Sequence, residues 1–196
     1  MFDKAKSTDT VAAAVQKGQG LSDGIRGGGR FKVECLDKDG NLKWTAESQN
    51  LVVNVGLQDM NTQYFKGATY TAAWYIGLIT GPAASTTISA GDTLASHGAT
   101  GSGGWTEFTN YSGNRKTATF GTATTADPSV IDNSASAASF SITSAGGTVA
   151  GAFLASVATG TSGILFSAAD FQSPGDRTVV SGDTLNVTYT FSLDAL

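Results

Sequence analysis

The segment GDTLNVTYTFSL at 182–193 constrains the fold most strongly, because it alternates apolar and polar residues without interruption. The apolar set is Leu185, Val187, Tyr189, Phe191 and Leu193, and the polar set is Asn186, Thr188, Thr190 and Ser192. A period of two is that of a β-strand with one dry face. Such a strand must cover its apolar face with another layer, so the segment predicts a layered β-structure.

Further strand-like runs follow position 74, including AAWYIGLIT, RKTATFG, SAASFSIT, GTVAGAFLAS and SGILFSA. The chain of 196 residues contains 25 glycines and is only 14% charged, which is typical of short strands joined by tight turns. We therefore predict a mainly β protein, a single β-sandwich or jelly-roll-like domain.

Two other local elements are predicted before position 74. Phe31, Val33 and Cys35 alternate ahead of the turn DKDGN, which indicates a β-hairpin. One short helix, packed on the sheet, is predicted within VGLQDMNTQYF. Its apolar residues at helical intervals are Leu57, Met60, Tyr64 and Phe65.

The N-terminal part differs in composition from the rest. Residues 1–29 have little apolar surface and end in three glycines at 27–29, so we predict an extended arm with a glycine hinge, attached to a body at 30–196. The arm carries the candidate partner-binding cations Lys4, Lys6, Lys17 and Arg26. Beyond Lys66 the chain has three cations and eight acids, so acidity belongs to the body.

Composition argues against several classes of protein. The net charge of −4 argues against general nucleic-acid binding, and no apolar run is long enough to predict a signal peptide or a membrane span. The single Cys35 excludes an intrachain disulfide and is interpreted as a small buried thiol. One His and one Cys cannot complete a zinc site, and we expect no cofactor.

Catalytic patterns are weak. Asp92, Ser96 and His97 are too close in sequence to place a nucleophile, base and orienting acid in line. A glycosidase needs two carboxylates, and Glu47 and Glu107 could supply them. Two acidic surface residues without a catalytic role are, however, far commoner than a catalytic pair. Asp92 and Asp183 each occur in a GDTL sequence, where a carboxylate that bonds turn amides is expected.

The densest set of chemically capable groups lies in GGWTEFTNYSGNRKTATFG at 103–121. One interpretation is a structural corner, with Trp105 and Phe108 capping one end of the sandwich and Glu107 pairing with Arg115 on its rim. The other is a carbohydrate-stacking platform, in which Trp105 or Tyr111 presents an exposed ring.

The order of several motifs resembles a family of small structural proteins of tailed bacteriophages over residues 30–196. The motifs are F-x-V-E-x-x-D-x-x-G-x-L-K-W (31–44), N-L-V-V-N-x-G-L (50–57), W-Y-I-G-L-I (74–79), G-D-T-L-A-S-H (91–97), G-W-T-E-F-x-x-Y-x-G-N-R (104–115), G-A-F-L-A-S (151–156) and the final strand segment. The resemblance implies a virion component without catalytic residues, assembled in the bacterial cytoplasm.

Two functions from different classes follow. The first is a capsid decoration, or cement, protein that binds the major capsid protein and stabilises the shell. Analogy with such proteins implies a homotrimer. The second is a tail-fibre, tail-tip or neck protein with a carbohydrate- or receptor-binding role through Trp105 and Tyr111. An enzyme such as a depolymerase lacks candidate residues.

Overall fold

The computed structural model describes residues 24–69, 73–81, 87–97, 105–143, 145–171 and 175–195. Within these residues the chain forms twelve strands, two α-helices and a 3₁₀ turn at Ser134–Ser136. The elements are β1 (Ile25–Leu36), β2 (Leu42–Gln49), β3 (Leu51–Val52), α1 (Asn54–Lys66), β4 (Tyr75–Thr80), α2 (Leu94–His97), β5 (Glu107–Phe108), β6 (Lys116–Thr117), β7 (Ser129–Asp132), β8 (Ala138–Ser141), β9 (Gly147–Ala155), β10 (Leu165–Asp170), β11 (Arg177–Val179) and β12 (Thr184–Ala195).

The strands form two antiparallel sheets, which confirms the predicted mainly β sandwich with one short helix. The first sheet has the order β2-β1-β12-β7, and β8 also pairs with β12. The second has the order β3-β10-β9-β4-β5, while β11 pairs with β9 and β6 with β4. The predicted hairpin is β1 and β2.

The main core lies between the sheets, and β12 places its residues there as predicted. Leu185, Val187 and Tyr189 are buried, opposite three buried residues of β1 in antiparallel register. Those three are Phe31, Val33 and Cys35. Towards the end of β12, Phe191 and Leu193 are only partly buried, so the predicted dry face is complete only up to Tyr189.

The predicted glycine hinge is wrong. Strand β1 begins at Ile25 and pairs with β12 along its whole length, with Gly27 opposite Leu193 and Gly29 opposite Phe191. A Cβ at Gly29 would lie 2.8 Å from the backbone oxygen of Thr190, so close packing of the sheet explains this glycine. The predicted boundary at residue 30 therefore cuts through a strand, and residues 1–23 of the arm lie outside the described residues.

The second sheet is covered on both faces, which explains the continuous apolar runs of β4 and β9. Leu78 and Leu154 face the main core. Ile79 and Phe153 face a second buried cluster that includes Leu94 of α2. A strand buried on both faces does not alternate apolar and polar residues. The sequence therefore indicates only that these strands are apolar, and not which cluster each side chain faces.

The helix α1 is present, but of the four apolar residues predicted to pack on the sheet only Met60 contacts the main core. Leu57, Tyr64 and Phe65 are exposed, the last two to 83% and 76% respectively. The helix also approaches the second sheet closely at Gly56, where an added Cβ would clash with the backbone oxygen of Phe166. Glycine permits this close approach because it has no side chain. The contact at Gly56, rather than the exposed apolar residues, therefore sets the rotation of the helix.

A buried asparagine joins two short strands to β12. Asn133 lies between β7 and β8 and is fully buried. Its side-chain oxygen accepts the backbone N–H of Tyr189 at 2.7 Å, and its nitrogen donates to the backbone oxygen of Val187 at 3.2 Å. The side chain thus replaces the missing strand partner and satisfies buried backbone groups.

Candidate functional site

The segment that begins at Trp105 is a structural corner. Trp105 and Tyr111 are only 3% and 6% exposed, so neither ring offers an open stacking face, and the carbohydrate platform predicted on them is wrong. Trp105 and Phe108 also do not cap the same end. Phe108 lies in the core between the sheets, and Trp105 packs on the opposite face of the second sheet.

Strand pairing explains the path of this corner. β5 and β6 pair successively with β4, and between them the chain crosses to the first sheet. There Tyr111 bridges to Ile142, and the backbone N–H of Ser112 donates to the oxygen of Ser141. Gly113 has a φ of +80°, the left-handed conformation that lets the chain turn back.

Glu107 and Arg115 pair as predicted, but the pair is buried and does not lie on a rim. Arg115 Nε and one terminal nitrogen donate to the two carboxylate oxygens at 2.8 and 2.7 Å. The other terminal nitrogen donates to the backbone oxygen of Val157, and the guanidinium lies 5.1 Å from the ring centroid of Phe153. The side chains are only 2% and 8% exposed for Arg115 and Glu107. The guanidinium is buried and each of its three nitrogens donates a hydrogen bond, so it has a structural role.

Burial and the Glu107–Arg115 pair also change the pKa of the neighbouring Tyr111. Burial raises the pKa of Tyr111, and the charge of Glu107 raises it further against the opposing effect of Arg115. The hydroxyl therefore keeps its proton to a higher pH than an exposed tyrosine does.

His97, Asp92 and Trp105 form a second buried polar group. His97 Nε2 lies 2.9 Å from Asp92 Oδ1, and its ring stacks on Trp105 with the centroids 4.6 Å apart. The indole nitrogen donates to Asp92 at 3.2 Å, and the backbone N–H of Ser89 donates to the same carboxylate. Burial raises the pKa of Asp92, but the hydrogen bonds outweigh it and leave the pKa below its ordinary value.

This group does not assemble as a nucleophile and its base. Ser96 Oγ donates to the backbone oxygen of Thr93 and accepts from the Thr93 backbone N–H. The second nitrogen of His97 lies 3.4 Å from the backbone oxygen of Trp105. The three residues considered as a triad therefore stabilise a loop and a short helix.

The other predicted turn carboxylate, Asp183, also has a local partner. It accepts the backbone N–H of Val180, three residues before it in the turn, at 3.0 Å. Lys43 reaches it from β2 at 2.6 Å, and this hydrogen bond raises the pKa of the ammonium. Nearby, burial raises the pKa of Cys35 to about 11, ahead of the effect of the Asp183 charge.

The remaining acidic candidates are separated in space. Glu47 is on β2 of the first sheet and pairs with Arg30 at 2.8 Å, whereas Glu107 is on β5 of the second. Asp37 accepts the backbone N–H groups of Asp39 and Asn41, which confirms the predicted hairpin turn. Among the described residues, no group of three His, Cys, Asp or Glu is arranged to hold a metal ion.

Of the predicted partner-binding cations, the structure describes Arg26. It is exposed on β1, where it lines a surface groove together with Gly28. The other three, Lys4, Lys6 and Lys17, lie outside the described residues. The described helices lack the length and apolar character of a membrane-spanning segment.

An apolar cavity that the sequence did not predict lies where α1 meets both sheets. Its volume is about 240 Å³. Its walls include Met60 of α1, Trp74, Phe120, Phe166 and Phe191. These residues are far apart in sequence, so no local motif could have revealed it. The apolar pattern of α1 includes one wall residue, Met60, but the pattern alone does not indicate a cavity beside the helix.

No protein-family model, curated protein or solved structure matches the chain.

Proposed function

We propose that this chain is a non-enzymatic structural component of a tailed-phage virion, and specifically a decoration protein of the capsid. Its proposed partner is the major capsid protein, and its proposed location is the outer shell. The motif order along residues 30–196 is one support for the proposal. Analogy with cement proteins extends it to a homotrimer.

One observation supports the proposal that the protein is not an enzyme. The side chains best suited to catalysis are bonded to one another inside the protein. Glu107 and Arg115 bond each other, and Asp92 bonds His97, in each case with little exposed surface. A catalytic group must reach its substrate, whereas these side chains stabilise loops at the ends of the second sheet.

In this proposal the N-terminal segment strengthens attachment. Lys4, Lys6 and Lys17 supply positive charge to a protein whose net charge is −4, and this charge would be attracted to an acidic capsid surface. A segment tethered to a docked body acts at a raised effective concentration, so even weak contacts increase residence on the shell. Arg26, exposed near the start of β1, would extend the same surface.

Co-sedimentation with capsids that lack the protein tests the proposal. We expect the intact protein to sediment with the capsids, and the Lys4→Gln, Lys6→Gln, Lys17→Gln triple variant to bind less. The difference should be largest at low salt, where charges are least screened. The matched control is Lys38→Gln, which removes a lysine that is 74% exposed in the β1–β2 turn.

Absence of binding by the intact protein at any salt concentration would contradict the capsid role. Full binding by the triple variant would instead assign attachment to the body. Labelling of purified particles at the neck or tail would move the protein to that part of the virion.

A further inference from the structure

The aromatic residues around the cavity beside α1 meet one another at steep angles. The ring of Phe166 lies 5.4 Å from that of Trp74, centroid to centroid, with 66° between the two planes. It lies 5.6 Å from the ring of Phe191, with 78° between the planes. Phe120 also lines the cavity, and the rings of Trp74, Phe120 and Phe191 are only partly buried. These four rings therefore form walls of a box rather than layers of a stack, and we call them the aromatic cage.

A single charged side chain borders the aromatic cage. Of the described residues that line the cavity, Asp59 of α1 is the only one with a charge. Its Oδ1 accepts a hydrogen bond from Gln63 Nε2 at 3.2 Å, and it forms no ion pair with a described residue. Asp59 is also partly exposed. Its negative charge is therefore available to a ligand that enters the cavity.

The combination of aromatic rings and a carboxylate selects an apolar cation. The face of an aromatic ring is negative, so it attracts a cation that lies over it. An ordinary ammonium ion would leave N–H donors without partners against these walls, which costs free energy. A quaternary ammonium ion has no N–H, and its methyl groups can pack on the rings. A neutral apolar molecule would also fit the walls, but it would gain nothing from Asp59.

We propose that this cavity is a binding site for a small quaternary ammonium ion of the choline type. The trimethylammonium group lies inside the aromatic cage, and Asp59 supplies the counter-charge. Benzene occupies an apolar protein cavity of about 150 Å³. This cavity, with a volume of about 240 Å³, has room for a trimethylammonium group and a short polar tail. The inference is independent of the proposed virion role, because it depends only on the walls and the charge of the cavity.

Isothermal titration calorimetry of the full-length protein with choline chloride is the direct test. The comparison ligand is the neutral carbon analogue of choline, in which a tert-butyl group of the same shape replaces the trimethylammonium group. We expect saturable binding of choline and at least about tenfold weaker binding of the analogue, because the cation–π attraction is lost with the charge. Added sodium chloride should weaken the binding of choline, since it screens the charge of Asp59, and should change that of the analogue little.

Two variants separate the contribution of the rings from that of the carboxylate. Phe191→Leu keeps an apolar wall but removes a ring. It should weaken choline binding by roughly threefold or more and change the affinity for the neutral analogue less. Asp59→Asn keeps the shape of the side chain and should weaken choline binding by roughly 2–5-fold. The matched control is Asp39→Asn, which removes a carboxylate that is 62% exposed in the β1–β2 turn and should leave binding unchanged. Circular dichroism verifies that each variant is folded.

Four outcomes would overturn the inference. The first is the absence of saturable choline binding by the wild type. The second is equal affinity for choline and its neutral analogue, which would make the cavity an apolar site without preference for charge. The third is a Phe191→Leu variant that binds choline as tightly as the wild type does, which would place the ion elsewhere. The fourth is an Asp59→Asn variant that binds choline as tightly as Asp39→Asn does, which would exclude Asp59 as the counter-charge.

Discussion

Removing the charge of Glu107 tests whether the corner is structural. In Glu107→Gln the shape of the side chain is kept, but Arg115, 2% exposed, loses its counter-charge. Breaking a buried ion pair from one side costs about 3–5 kcal/mol. The glutamine oxygen and the backbone oxygen of Val157 remain as acceptors, so we expect about 3 kcal/mol, near the lower end of that range. For a domain of this size, that lowers Tm by about 6–12 °C.

The assay is thermal and urea unfolding followed by circular dichroism, with Glu47→Gln as the control. Glu47 pairs with Arg30, but both side chains are about half exposed, so its loss should cost no more than about 1 kcal/mol. Replacing both partners, with Glu107→Leu and Arg115→Met, should recover much of the lost stability because no charge is left buried. Equal losses in Glu107→Gln and Glu47→Gln would refute the structural interpretation.

Three further predictions concern the core, acid stability and the start of the fold. With its pKa raised to about 11, Cys35 should react with a thiol reagent at neutral pH only as fast as the protein unfolds; rapid labelling of the native protein would contradict its burial. The lowered pKa of Asp92 stabilises the fold above the ordinary value of about 3.9, and this contribution is lost as pH falls through the folded value. In urea titrations from pH 7 to 2, Asp92→Asn should therefore be less stable than the wild type at neutral pH and lose less stability on acidification. If the free energy of unfolding of the variant depends on pH as that of the wild type does, the prediction is wrong. A chain that starts at Gly24 should melt cooperatively and above one that starts at Arg30, which lacks part of β1; equal melting would show that this part contributes no stability.

The strands were predictable where one rule governed the pattern. In β12, alternation follows from one face being dry, and Leu185, Val187 and Tyr189 are buried accordingly. The sequence shows β4 and β9 as apolar runs. It does not show that a different buried cluster covers each face of these strands, because the second cluster is assembled from distant segments. Short pairings such as β5 and β6 depend on partners far along the chain and leave little local signal.

The errors have physical causes. Three glycines at 27–29 predict a hinge because glycine is conformationally permissive, whereas in the structure Gly29 is required by close packing against β12. The apolar residues of α1 predict a face of four packed side chains, but only Met60 packs on the core, because the close contact at Gly56 sets the rotation of the helix. Trp105 and Tyr111 were candidates for a surface platform because ring types alone do not reveal burial, which tertiary packing decides.

Immunogold labelling of intact tailed-phage particles tests the proposed function most directly. An antibody against an exposed surface such as the β1–β2 turn, where Lys38 is 74% exposed, would leave the docked body in place. The proposal predicts gold distributed over the whole capsid and absent from capsids that lack the protein. Gold confined to the neck or tail, or absent from purified particles altogether, would contradict it.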